Sequence, residues 1–310
     1  MNKLVRLLVS SLITAIVSTW VLSCAVTSNE SVPVSQGEPT AWSDLVQSLS
    51  AKKGPITITQ VRAADWAVSR AGLIDLDDPK AEKAGLEEGL EPIQIYFYVI
   101  DHPTRGRYLI DTGMGSIFTR PADEWPVSGM VQSVMNMDLL KIHVTMKDWL
   151  EKSKLPIKGV FLTHMHLDHI LGSADIPANV PFYVGPREAT GKSFLNLFVQ
   201  GSTDDILGDR TLSELQFPPS EDHLAVLDYF GDGSFYAIYS PGHTPGSMAF
   251  LIRGKDGLHL VAGDTSHTIW GWKNDVPPGD FTADIDENRK SLNALENLAC
   301  QAKSIQIYPC

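Results

Sequence analysis

Apolar positions along this chain fall into short β-branched and aromatic runs in its first half and take up helical spacing further on. Ile56 to Val61 and Ile93 to Ile100 are rich in the residues that suit a pleated, half-buried surface, and they predict strands. Arg107 to Asp111 predicts another, ending at Asp111-Thr112-Gly113. Residues 101–106, Asp-His-Pro-Thr-Arg-Gly, carry hairpin-turn chemistry between the two. Lys147 to Leu155 reads as a short helix, with Thr145 as its N-cap and Pro156 closing it. Val160 to Thr163 reads as a buried strand, and Phe235 to Ser240 and Leu258 to Gly263 as further strands. Asp286 to Ala302 predicts a helix, with Leu292, Leu295, Leu298 and Ala299 on one face. Ile305 to Tyr308 is a last short strand. The pattern is that of an α/β (α+β) chain with two sheets packed between helices.

The first residues stand apart from this pattern. Lys3 and Arg6 form a short positive region, and Leu7 to Leu22 is apolar apart from Ser and Thr. The run ends in Val21-Leu22-Ser23-Cys24, a small residue before a cysteine, which resembles a bacterial lipobox. Residues 1–23 are therefore expected to be a lipoprotein signal peptide, cleaved before Cys24, with acyl chains on Cys24 anchoring the chain to a membrane. An ordinary signal peptide or an uncleaved anchor helix is the alternative. Ala25 stands where an Asp would signal inner-membrane retention, so an outer-membrane location facing the periplasm is expected if the source is Gram-negative. Residues 24–40, polar and bearing Pro33, Gly37 and Pro39, read as a flexible tether. Residues 41–310 then form one catalytic domain.

Composition narrows the function classes. The 310 residues are 43% apolar and 20% charged, with a formal net charge of -12 and no dense Lys/Arg run after residue 6. A nucleic-acid partner requires a basic surface and is disfavoured; the acidity is read as solubility. Export would permit a disulfide between Cys300 and Cys310 if their geometry allows one.

The decisive chemistry is Thr163-His164-Met165-His166-Leu167-Asp168-His169, directly after the apolar run Gly159-Val160-Phe161-Leu162. Imidazole and carboxylate at this density are costly in a core unless they bind something, and both are good zinc ligands. Histidines two apart on an extended segment point the same way; the following turn can redirect Asp168 and His169. Ser240-Pro241-Gly242-His243-Thr244-Pro245-Gly246-Ser247 puts another histidine in a rigid loop after a strand, and Gly263-Asp264-Thr265 does the same for an aspartate.

These motifs resemble the metallo-β-lactamase fold superfamily, in particular its lactonase-like branch of N-acyl homoserine lactonases and related esterases. The resemblance runs from about residue 93 to 308. It implies a four-layer αββα sandwich with metals at one edge. By position, His164, His166 and His243 would hold the first zinc, Asp168 and His169 the second, and Asp264 would bridge them. Asp111 would orient a ligand from behind. The implied reaction is hydrolysis by a metal-bound hydroxide, with Asp168 also shuttling a proton. His267 stands where lactonases of this class often carry a Tyr that contacts the substrate carbonyl. It would donate the same hydrogen bond or act as an extra ligand, or it is a surface histidine. The substrate expected is a small molecule, first a lactone or carboxylic ester, with a β-lactam as the alternative and thioesters less favoured. A non-catalytic metal-binding lipoprotein with a degenerate second site is the reading from another class.

The resemblance also shows a departure. Family members usually end in a strand followed by a Pro-Gly-His loop whose histidine completes the second site; here Ile307-Tyr308-Pro309 is followed by Cys310. Three arrangements are compatible: a sequence that stops short of the loop, one firm and one weak zinc, or a contribution from Cys310 or the terminal carboxylate. His102, His143, His223 and His259 lack partner spacing and read as structural or exposed. Trp270 and Trp272 are candidates for the wall of an acyl pocket, with ordinary packing as the alternative. Met130, Met135 and Met137 read as core or groove filler, and residues 114–140 as a lid over the site.

Overall fold

A computed structural model describes residues 23–50, 54–220, 224–302 and 304–309. The apolar segment 7–22 lies outside them, as do His223 and Cys310.

The strand Leu90–His102 shows how the layers arise. Phe97 and Val99 point into one apolar cluster, Tyr98 and Ile100 into another, so period-2 alternation gives the strand two buried faces. It sits inside an eight-stranded sheet, in the order Ser31–Val34, Leu212–Leu215, Phe182–Val184, Ile157–Phe161, Gly106–Ile110, Leu90–His102, Thr57–Ser69 and Lys141–Ile142. A six-stranded sheet faces it, in the order Ile305–Pro309, Leu258–Gly263, Met248–Arg253, Phe235–Tyr239, Val226–Asp228 and Glu38–Thr40. Between them lies an aromatic core. Phe161 stacks on Tyr183 at 5.1 Å and meets Phe235 at 4.9 Å and Phe250 at 5.5 Å. The outer face of the large sheet packs on Met146, Ile170, Ile206 and Leu207 from helices. The outer face of the small sheet packs on Leu45, Leu295 and Leu298. The result is the expected αββα sandwich.

Caps fix the two helices that the sequence predicts. Thr145 Oγ1 accepts from the Asp148 N–H at 3.1 Å, starting the helix Met146–Lys152. That helix ends three residues before the predicted Leu155, because the residue ahead of Pro156 is driven out of helical conformation. The helix Ile285–Gln301 starts where Asp284 accepts from the Glu287 N–H, and it buries Leu292, Leu295 and Leu298 as predicted.

Two expectations need correction. The strand beginning near Ile56 continues past Val61 to Ser69. Its second half, with Trp66 and Val68 buried, is carried across a register shift at Arg62/Ala64 by pairing with Leu90–His102. The supposed tether 24–40 is not a free linker. Cys24 and Ala25 pair with Ser193 and Lys192, Ser31–Val34 adds a parallel edge strand beside Leu212–Leu215, and Glu38–Thr40 adds an antiparallel edge strand beside Val226–Asp228. Pro33 and Pro39 fit there because edge strands tolerate a missing N–H.

Candidate metal centre

The site lies beyond the carboxyl ends of three core strands, where scaffold gives way to loops. Ile157–Phe161 runs into Thr163–His169, Phe235–Tyr239 into the loop of His243, and Leu258–Gly263 into Asp264. The helix Ile285–Gln301 ties two of these loops together. Ser291 Oγ donates to the Pro241 carbonyl at 2.6 Å, and Asn288 Nδ2 to the Thr265 carbonyl at 3.0 Å. Gly242 is required by this closeness, since a Cβ there would lie 2.1 Å from the Asn288 nitrogen.

Two donor sets converge. His164, His166, His243 and Asp264 form one, and Asp168, His169 and Asp264 the other; the ligand atoms of each set lie within 4.8 Å of one another. His243 Nε2 is 3.1 Å from His164 Nε2 and 2.9 Å from His166 Nδ1. Asp264 is shared. Its Oδ2 is 3.5 Å from His164 Nε2 and 3.3 Å from His243 Nε2, and its Oδ1 is 3.3 Å from His169 Nε2.

Electrostatics favour a cation here. Burial pushes His164, His166 and His243 below the usual histidine range, His166 down to about 3. The rings are therefore neutral, and each can turn a nitrogen lone pair toward the centre to bind a positive ion. Burial alone would raise the Asp264 carboxyl, but the imidazoles of His267, His169 and His164 outweigh it and hold it well below the usual carboxylate range. Asp264 Oδ1 is buried without a hydrogen bond. Converging neutral imidazoles and an ionised carboxylate shared between them fit a metal ion.

Asp111 and Glu188 orient this centre from behind. Asp111 adopts a left-handed backbone with φ of 59°, a conformation Asp tolerates better than most residues. Its Oδ1 accepts from the Thr163 N–H at 2.8 Å and its Oδ2 faces His169 Nδ1 at 2.9 Å. That bond fixes the His169 tautomer and leaves Nε2 for the centre. Glu188 was not singled out in the sequence. Its Oε1 accepts from the Met165 N–H at 2.6 Å, and its Oε2 from Thr244 Oγ1 at 2.6 Å and the Gly246 N–H at 2.9 Å. One buried carboxylate thus pins both histidine loops. Burial raises its pKa, and these three hydrogen bonds oppose the shift.

His267 is buried, so it is not a surface histidine. Its Nε2 lies 2.8 Å from Asp264 Oδ2, and its Nδ1 is buried without a partner. An apolar cavity of about 190 Å³ opens onto the centre, with His166, Asp168, Asp264 and His267 in its lining. Val26, Trp66, Val68, Leu73, Met135 and Val199 are among its apolar walls. Trp270 and Trp272 do not line it; they pack against the two outer cores. Of residues 114–140, only Met135 reaches the cavity; Met137 is buried in core, Met130 is exposed, and the Asn136 carbonyl accepts from Trp66 Nε1 at 3.0 Å. His102, His143 and His259 stay outside the centre, each with its own carboxylate: Asp232, Asp65 and Asp256. Cys300 is exposed on the last helix.

Residues 90–300 match the Metallo-beta-lactamase superfamily. The chain belongs to that superfamily. Among curated relatives, it is 30% identical over 210 residues to the N-acyl homoserine lactonase AttM of Azorhizobium caulinodans, covering 67% of this chain and 78% of that protein. AttM of Agrobacterium fabrum is 27% identical over 202 residues, covering 64% of this chain and 74% of the relative. Among solved structures, a quorum-quenching N-acyl homoserine lactone lactonase superposes with a TM-score of 0.60 at 18% identity, covering 83% of this chain and 93% of that one. An N-acyl homoserine lactone hydrolase with N-hexanoyl-L-homoserine at its catalytic metal centre gives 0.58 at 16%, covering 84% and 94%. With these lactonase relatives, this chain is a hydrolase of that superfamily, with a His/Asp cluster that could hold metal.

Proposed function

We propose that the chain is a zinc-dependent hydrolase of lactones or carboxylic esters bearing an apolar acyl group, exported and anchored through a lipid on Cys24. The observation that carries the substrate class is the cavity: mostly apolar walls share one space with Asp168, Asp264 and His267 of the centre. Acyl chains suit such walls, and the scissile carbonyl then lies at the centre. The AttM relatives, named for N-acyl homoserine lactone hydrolysis, support the same class.

Nitrogen-rich and carboxylate donors suit zinc. When bound, zinc supplies a coordinated water with a pKa near 7 and polarises the substrate carbonyl. His164, His166, His243 and Asp264 would hold one ion, and Asp168, His169 and Asp264 the other. Asp168 lies 3.4 Å from His169 Nε2 on the cavity wall, within reach of both substrate and centre, and moves the proton to the leaving oxygen. His267 keeps the shared Asp264 carboxylate oriented through Nε2. Val21-Leu22-Ser23-Cys24 after the apolar run supports acylation of Cys24.

The test is turnover of a matched panel by the zinc-loaded full chain: N-acyl homoserine lactones of increasing chain length, carboxylic esters and β-lactams. Hydrolysis of lactone or ester that improves with acyl length is expected. Turnover confined to β-lactams would overturn the substrate class, and no turnover despite bound zinc would favour a metal-binding lipoprotein without catalysis.

A further inference from the structure

Residues 193–199, Ser-Phe-Leu-Asn-Leu-Phe-Val, form an apolar surface that the fold leaves uncovered. Phe194, Leu195, Leu197 and Phe198 are 56%, 65%, 37% and 45% exposed, four large apolar side chains within five residues. Scattered exposed apolar residues are ordinary, whereas a contiguous patch marks an interaction surface. The chain carries 37 acidic residues, yet no charge occurs between Lys192 and Asp204. The surface is thus suited to burial in an apolar phase and not to electrostatic attachment.

Its position says which phase. Cys24 pairs directly with Ser193, Asn196 Nδ2 donates to the Cys24 carbonyl at 3.0 Å, and Gln200 Nε2 to the Ala25 carbonyl at 3.0 Å. The apolar run Leu7 to Leu22, or acyl chains on Cys24 in its place, therefore joins the folded chain at this patch. A lipid attached there brings the patch to a bilayer at high effective concentration. The cavity borders the same patch. Leu195 is both exposed and part of the cavity lining, next to Asn196 and Val199, and Val26 lines it two residues beyond Cys24.

We infer that the 193–199 edge seats on a lipid bilayer, so that the cavity mouth opens at the membrane surface and receives amphiphilic substrates already partitioned into lipid. The delivery half of this inference rests on the acyl-lactone or ester reading; the docking half does not. Phe194 and Phe198, whose rings meet at 5.5 Å, enter the acyl region, and Leu195 forms the threshold between lipid and cavity.

The docking test uses the full chain reconstituted in phosphatidylcholine vesicles, with Phe198→Trp compared against the parent to subtract native tryptophans. Expected is a blue-shifted additional emission that loses intensity when brominated phosphatidylcholine replaces the plain lipid. Additional emission typical of water and untouched by bromine would overturn docking. Blue-shifted emission untouched by bromine would overturn it in favour of a protein cover, either a second copy or the chain's own apolar segment. The delivery test uses Phe194→Ser/Phe198→Ser. Burying one such side chain is worth roughly tenfold or more in partitioning. The double variant should accordingly lose roughly tenfold or more in kcat/KM on a long-acyl lactone held in vesicles, and hydrolyse a short, water-soluble lactone like the parent. Equal effects on both substrates would overturn delivery from the bilayer, while the fluorescence result would still stand by itself.

Discussion

Asp264 is approached by imidazole nitrogens from His164, His169, His243 and His267 at distances between 2.8 and 3.5 Å, and so joins the two donor sets. The residues behind it set how firmly the centre holds. Replacing Asp111 by Asn removes the carboxylate that fixes the His169 tautomer, and metal affinity should fall about 10–100-fold; competition with a chelating dye would measure it. Glu188→Ala orphans the Met165 N–H and the Gly246 N–H, each at a cost of about 1–3 kcal/mol, and leaves Thr244 Oγ1 with only Ser247 Oγ. Its thermal midpoint should fall and its metal loading weaken together, and Glu188→Gln should recover part of both. The histidine motif was legible in the sequence because three imidazoles and a carboxylate within six residues have few roles other than metal binding. Glu188 was not, since its partners lie 23 and more positions away and Gly185-Pro186-Arg187-Glu188 carries no spacing that points to them.

Among elements, the last helix does two jobs: Leu295, Leu298 and Ala299 close the outer core, while Asn288 and Ser291 hold the loops of Asp264 and His243. The same helix carries a titratable liability. Burial raises the Glu296 pKa to about 7, with Asp275 adding to the effect and Lys80 opposing it. The folded state thus binds more protons than the unfolded state between the ordinary glutamate value, 4.5, and about 7, and stability declines as pH rises through that window. Glu296→Gln should remove this dependence and stabilise the chain at pH 8 by roughly 1 kcal/mol once solvent screening is allowed for; denaturant midpoints at both ends of the window would show it. Helix spacing and caps made this helix and Met146–Lys152 legible. The strand Thr57–Ser69 was legible only in its first half. Arg62, Ala63, Ala64 and Asp65 lack strand character, and only tertiary pairing with Leu90–His102 extends it.

At the scale of the whole molecule, sequence patterns indicated two sheets between helices, and the structure shows why the N-terminal stretch was misread. Pro, Ser and Gly make linkers, but they also make edge strands, and residues 31–34 and 38–40 close one edge of each sheet. Val26 joins the cavity wall from the same stretch, so the segment read as a tether is part of the site. The chain's far end returns to the centre as well: Pro309 registers with Gly263, one residue before Asp264. Sandwich, loops and cavity together serve one claim, that hydrolysis runs through metal held by the His/Asp cluster. The most direct test is to strip the full chain with a chelator and follow hydrolysis of an N-acyl homoserine lactone as zinc is titrated back. The account predicts no turnover in the stripped chain, recovery that tracks zinc bound per chain, and no recovery in Asp264→Ala. Turnover by the stripped chain at the rate of the loaded one would contradict it.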